Sequence, residues 1–247
     1  MEILRTENLS KKFGSFCALR EVDFILREGE KTSVIGPNGA GKTTLFNLIS
    51  GLFPPDEGAI YFENQNISGM APHRISKLGI SRSFQLTNVF PGLTVFENVR
   101  LAVQFKERIL WKIWEPVKQN KQVNEETFEI LNSVKLYDKH KAPAKNLSHG
   151  AAKHLEIAIA YASNPKLIML DEPTAGMSPA EKESTIELIN KLAEGRTILL
   201  IEHDIGLVMS ISDSIAVFLH GSLIAHGLPE DIKNNYKVQE AYLGDMA

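Results

Sequence analysis

Eight consecutive residues, Gly36, Pro37, Asn38, Gly39, Ala40, Gly41, Lys42 and Thr43, set three glycines, a lysine and a threonine in the order G-x-x-x-x-G-K-[ST]. Glycines let successive backbone N–H groups turn toward one anion. A helix opening at the end of such a loop adds its positive N-terminus. Lys42 then reaches the β- and γ-phosphates, and Thr43 offers a hydroxyl to Mg2+, with Thr44 following in the first helical turn. A chance match in a chain of this length is on the order of one in a hundred. The expected cofactors are ATP and Mg2+.

A second group of residues supplies the chemistry that binding alone lacks. Leu167-Ile-Met-Leu170 is an apolar run that ends in two carboxylates, Asp171 and Glu172. At the C-terminal end of a parallel strand such groups face a ligand crevice. Asp171 is suited to the magnesium shell through water, and Glu172 to polarising an attacking water. Ile201-Glu-His-Asp204 ends the next apolar run, which places His203 to contact a γ-phosphate and hold that water in line. A lone histidine after a strand has no such meaning without the other two groups. Leu147-Ser-His-Gly150 precedes an amphipathic stretch, so Ser148 is either a plain N-cap or part of an anion site, and the segment alone favours the cap.

These residues need elements to hold them. Residues 1–36 read as strands, with Val22, Phe24 and Leu26 on one face and Lys31 to Gly36 ending at the loop. A helix opens near Gly41, carries Thr44, Leu45, Leu48 and Ile49 as a stripe, and stops at Gly51. Ala59 to Phe62 is a strand followed by a polar turn at Glu63 to Asn66. The stretch of about 72–146 is rich in helix formers, with amphipathic helices at Thr94 to Ala102 and Glu125 to Leu136. From 147 the β/α alternation returns: a helix over about 149–162, the strand Leu167 to Leu170, a helix after Pro179, the strand Thr197 to Ile201, a hairpin over Ser214–Leu219 and Leu223–His226, and short closing helices.

Composition bounds the setting. The 247 residues are 43% hydrophobic and 23% charged, ordinary for a globular chain. A net charge of −3 argues against wrapping nucleic acid through a broad basic face. Cys17 is the single cysteine, which excludes an intrachain disulfide and fits a reducing compartment. Met1 to Ser10 has no apolar signal core, and no run approaches the ~18 apolar residues of a membrane span. A membrane role would therefore draw its membrane part from another chain.

Taken together, the phosphate loop, Leu147-Ser-His-Gly150 some twenty residues before Asp171 and Glu172, and His203 some thirty after them resemble the ATPase subunit of ABC transporters over essentially the whole chain. The resemblance implies an α/β fold: a phosphate-loop ATPase core with an N-terminal antiparallel β subdomain and an inserted helical subdomain. It implies one domain over 1–247, with 1–84 and 147–247 as core and about 85–146 as the insertion. It also implies further roles. Phe13 stands at the position that stacks on adenine, against the alternative of a buried strand residue. Gln85 stands where a glutamine links Mg2+ and the attacking water to the transmembrane partner. Ser148 and Gly150 would contact the γ-phosphate bound by a second ATPase subunit, and Ala175-Gly-Met-Ser178 would cross the dimer interface. That second subunit is the same chain or a related one. Permease subunits and, indirectly, a substrate-binding protein are the other implied partners, with no nucleic acid. The implied location is cytoplasmic, peripheral on the inner face of the cell membrane.

A narrower likeness rests on Phe90-Pro-Gly-Leu-Thr-Val-Phe-Glu-Asn98, Ala175 to Pro179, Ile201 to Met209 and the ending Glu240-Ala-Tyr-Leu-Gly244. These look like the ATPase subunits of branched-chain amino acid importers. The stretch Lys106 to Thr127 fits that group better than the shorter lipopolysaccharide-export ATPases; lipid export and a soluble non-transport ABC ATPase are the alternatives. The chain departs from the family at Ala151 and Ala152, where glutamine and polar residues are usual, and at His149, where glycine is commoner. Trp111 and Trp114 lie at helical spacing, on a stripe that packs on its own subdomain or meets a membrane surface.

Overall fold

Alternating burial shapes the first two strands. β1 (Glu2–Phe13) and β2 (Phe16–Arg27) form an antiparallel hairpin around Gly14, whose φ is +59°. Val22, Phe24 and Leu26 are the buried positions of β2, as the alternation predicts. The computed structural model describes residues 1–83, 89–106 and 120–244, with side chains to residue 240. The chain divides into two compact units, Met1–Ile80 with Ala193–Ala247, and Ser81–Leu192.

The first unit continues with β3 (Lys31–Ile35), α1 (Lys42–Ile49), β4 (Glu57–Phe62), β5 (Gln65–Asn66) and α2 (Pro72–Leu78). Helix α1 buries Leu45, Phe46, Leu48 and Ile49, and Gly51 just beyond its C-cap Ser50 has φ +75°. Both residues of the turn before β5, Glu63 and Asn64, have positive φ, the geometry a tight hairpin needs. β4 pairs with the free edge of β1, giving an antiparallel sheet of order β2-β1-β4-β5.

The second unit holds β6 (Ile80–Arg82, starting at the division), α3 (Val95–Lys106), α4 (Lys121–Ser133), α5 (His149–Ala162), β7 (Leu167–Asp171) and α6 (Pro179–Ala193). Thr94 and Glu97 form a reciprocal cap on α3: Glu97 N–H donates to Thr94 Oγ1 at 3.1 Å, and Thr94 N–H to Glu97 Oε2 at 2.7 Å. α4 starts earlier than its apolar stripe suggests, because Asn120 accepts from Val123 N–H as an N-cap. It ends before Lys135, whose φ of +59° cannot continue a helix. Phe96, Phe128, Tyr137 and His140 form a ring cluster over α3 and α4, with centroids 4.8 to 5.6 Å apart.

The chain then returns to the first unit with β8 (Thr197–Ile201), α7 (Ile205–Ile211), β9 (Ser214–Leu219), β10 (Ser222–Gly227), α8 (Pro229–Lys233) and α9 (Tyr236–Gly244). β3 lies between β8 and β9 and runs parallel to both, while β10 pairs antiparallel with β9. All five residues of β8 are buried, as parallel strands covered on both faces are. Ile35, Val208, Ile215, Val217, Ile232 and Val238 form one apolar cluster that joins the sheet to α7, α8 and α9. Thr32 and Ser214, both buried, satisfy each other through hydroxyls 2.8 Å apart. Helix α7 was not expected from the sequence; its cap is Asp204, which accepts from Leu207 N–H at 3.2 Å.

Candidate functional site

In the first unit the parallel register fixes where the phosphate loop emerges. Val34 pairs with Ile201 and Ile35 with Val217, so residues 36–43 leave the same sheet edge as Glu202 and His203. His203 is exposed there, directly after β8. On the other side of the loop the chain approaches so closely that side chains are excluded. A Cβ on Gly36 would lie 2.2 Å from the Phe218 carbonyl oxygen, and one on Gly41 2.6 Å from that of Ala18. Gly41 also has φ +100° and stands as the N-cap of α1 with no side-chain hydrogen bond. Only glycine fits those positions, and the helix start is left to backbone amides.

Lys42 is 6% exposed, and its Nζ donates to the carbonyls of Gly36 at 2.6 Å and Pro37 at 2.9 Å. The ammonium thus bridges the start of the loop it follows. Ala40 is buried, Pro37 half-buried, and Asn38 and Gly39 exposed. Thr43 is exposed with its hydroxyl at the helix start, and Thr44 half-buried. Phe13 is 44% exposed at the end of β1, so it is not the buried strand residue that was the alternative to an adenine platform. Its ring meets Phe53 edge-on at 5.6 Å, with Lys11 Nζ 5.7 Å from the ring centroid.

In the second unit Asp171 closes β7 at 2% exposure. Arg82, at the end of β6, donates to its Oδ2 at 2.9 Å, and the two side chains are 6% and 1% exposed. Oδ1 is buried without a hydrogen-bond partner among the described residues. Burial raises the Asp171 carboxyl above the ordinary carboxylate range, and the Arg82 hydrogen bond and charge pull it back. Burial likewise lowers Arg82, against the pull of Asp171. Desolvation outweighs pairing on both partners, so the pair marks a functional constraint more than a source of stability. Glu172, next in the chain, is half-buried with φ +49°. A non-glycine residue in that region costs roughly 1–3 kcal/mol, and such outliers cluster at active sites.

Mg2+ takes octahedral oxygen donors, usually one or two from protein with phosphate and water completing the shell. The Thr43 hydroxyl and the unpartnered Asp171 oxygen are donors of that kind.

Ser148 is the exposed N-cap of α5, accepting from Ala151 N–H at a long 3.4 Å. His149 Nε2 lies 2.9 Å from the Ala175 carbonyl, so the first turn of α5 touches the 175–178 segment that leads away from Glu172. Gly150 is buried, and a Cβ there would meet Glu181 Oε1 at 2.8 Å. Beneath them His154, 8% exposed, faces the Val134 carbonyl through Nδ1 at 3.2 Å and Thr185 Oγ1 through Nε2 at 3.0 Å. A carbonyl only accepts, so Nδ1 carries the proton, and Nε2 faces a Thr185 hydroxyl that also lies 2.9 Å from the Glu181 carbonyl. Burial holds this imidazole below its ordinary pKa. Gln85 lies outside the described residues, as do Trp111 and Trp114. Sequence reasoning did not single out Arg82, His154 or Glu181; an arginine three residues before Gln85 was the one available sign of the first.

Two outcomes follow. Arg82→Met should cost about 3–5 kcal/mol in urea unfolding, because it leaves a buried carboxylate unpaired, and adding Asp171→Asn should recover part of that loss. Equal midpoints for wild type and Arg82→Met would contradict the buried pair. The fold holds His154 neutral, so its contribution is intact above the ordinary imidazole pKa of about 6.5 and is lost as the pH falls and the ring must charge. Between about pH 7.5 and about pH 5.5, the drop in unfolding midpoint should be smaller for His154→Gln than for wild type; an identical drop would remove His154 from the acid response.

Comparison with known proteins agrees with this geometry. The ABC transporter family model matches residues 19–175, and a model described as branched-chain amino acid ATP-binding cassette transporter matches residues 222–247. The high-affinity branched-chain amino acid transport ATP-binding protein LivG of Escherichia coli K12 is 38% identical over 98% of this chain and 98% of its own. Among solved structures, an ATP-binding cassette of an ABC transporter in its ADP conformation superposes with a TM-score of 0.85 at 36% identity, covering 99% of both chains. A dimeric ATP-binding cassette in a post-hydrolysis state, bound to ADP and Pi, gives 0.79 at 28% identity over 92% of this chain and 98% of that one. The chain belongs to the ABC transporter family, as one of its nucleotide-binding cassette ATPases.

Proposed function

We propose that this ATPase powers an importer of branched-chain or related amino acids. The observation that carries the substrate class is the match of residues 222–247 to the branched-chain cassette model, which the E. coli relative supports by its name. In this reading the chain sits on the inner face of the cell membrane against permease subunits, with a substrate-binding protein on the far side. No helix among the described residues is long and apolar enough to cross a membrane, so the spanning part falls to those partners.

The proposed chemistry assigns each residue a task. Phe13 stacks on adenine. The amides of residues 36–43 and the start of α1 hold the triphosphate, with Lys42 on its β- and γ-phosphates. The Thr43 hydroxyl and Asp171 hold the Mg2+ shell, together with Gln85. When bound, magnesium neutralises charge on the phosphate oxygens. Glu172 accepts a hydrogen bond from the attacking water and polarises it toward the γ-phosphorus. His203 keeps that water in line. In a second ATPase subunit, Ser148 and Gly150 meet the γ-phosphate, and residues 175–178 cross beside it. ATP then binds the closed dimer better than the open one, and loss of the γ-phosphate reopens it.

Two variants test the division of labour. Glu172→Gln should retain ATP affinity and lose turnover, by about 10²-fold or more for removal of a general base. Hydrolysis at the wild-type rate would overturn that role. Lys42→Ala should weaken ATP binding, and an unaltered dissociation constant would contradict the loop assignment. For the substrate class, the ATPase reconstituted with its permeases and binding protein should be stimulated by leucine or valine; stimulation only by a lipid would replace import with export.

A further inference from the structure

We propose that His149 is a positioning residue that ties the start of α5, with Ser148 and Gly150, to the 175–178 segment, so that both dimer-facing parts move as one piece. This rests on the reading that Ser148 and Gly150 meet the partner's nucleotide. His149 is exposed, yet its Nε2 lies 2.9 Å from the carbonyl oxygen of Ala175, 26 residues away in sequence. The carbonyl can only accept, so the imidazole donates through Nε2–H.

The surroundings are shaped to that bond. Gly176 has φ +72°, and a Cβ there would stand 3.3 Å from the same Nε2, so a side chain would crowd the ring. On the other flank Gly150 leaves room for Glu181, which is fixed by hydrogen bonds from Ser178 N–H at 3.0 Å and Ser178 Oγ at 2.7 Å. Below, the Thr185 hydroxyl that faces His154 also lies 3.3 Å from Met177 Sδ. The segment is therefore held at two points, directly by His149 of α5 on the surface and in the core by Thr185 of α6, which His154 of α5 contacts. A segment ordered before its ligand arrives loses less entropy on binding, and that difference appears as affinity. Glycine at position 149 has no donor to offer, so the tether depends on this side chain.

The test uses the isolated chain with Glu172→Gln, which should associate when ATP is added. Three further substitutions separate the donor from the ring. His149→Gln carries an amide N–H at the reach of Nε2, His149→Asn only at the reach of Nδ1, and His149→Ala none. Alanine and asparagine should weaken ATP-driven association, measured by sedimentation, about fivefold, the worth of one net hydrogen bond. They should also speed amide exchange at residues 175–178 by a similar factor, and glutamine should restore both. Unchanged association across all three variants overturns the inference, as does exchange at 175–178 that ignores them. If the Glu172→Gln parent fails to associate with ATP at all, the closed-dimer reading falls and takes this inference with it.

Discussion

A triphosphate carries its charge on small, strongly hydrated oxygens, and a protein that binds it must replace that water with fixed donors. In the proposed pocket the donors are backbone amides, and backbone can come that close only where side chains are missing. Gly36 and Gly41 are the expression of that constraint. Each is pressed against a carbonyl from a different strand, Phe218 and Ala18, at distances that no Cβ tolerates. The loop is therefore built into the packing of the sheet. The parallel pairing of β3 with β8 and β9 fixes where it emerges, and the buried face of α1 fixes the direction of the helix start. Lys42 adds the one full charge in the loop and spans the loop's own carbonyls.

The residues proposed for hydrolysis follow the opposite logic. Asp171 is buried at a cost that its partner only partly offsets, since burial pushes both Asp171 and Arg82 toward their neutral forms. Glu172 is held in a backbone conformation that glycine would adopt more easily. Neither feature helps the fold. Both make sense where a carboxylate must be aimed at a fixed point and kept there, because local strain persists only when the surroundings over-determine it. The pair also sits directly ahead of the segment that His149 contacts, so in the proposed mechanism one short stretch of chain serves both hydrolysis and the partner's nucleotide.

Much of this was legible in the sequence because the signals are local. The phosphate loop is written in consecutive residues whose types are dictated by sterics. The apolar runs of β7 and β8 declared two strands that the structure buries on both faces, and the helix over His149–Ala162 showed itself by its cap and stripe. What escaped were facts that depend on distant partners. Arg82 finds Asp171 across 89 positions and His154 finds Thr185 across 31, and no periodicity announces either. Backbone strain at Glu172 has no sequence signature at all. The start of α4 shifted because a single asparagine cap outweighs the apolar stripe in choosing a first residue. Phe13 showed two readings in sequence, and only its exposure at the strand end removes the buried one.

The family assignment rests on whole-chain likeness, whereas the account of why the chain works rests on a nucleotide pocket made of amides, one ammonium and a divalent cation. Calorimetric titration of the isolated polypeptide with ATP, with and without magnesium, addresses that pocket directly. The expected result is one adenine nucleotide per chain, bound more tightly when magnesium is present. A flat titration under both conditions, on protein shown to be folded, would contradict the account at its base.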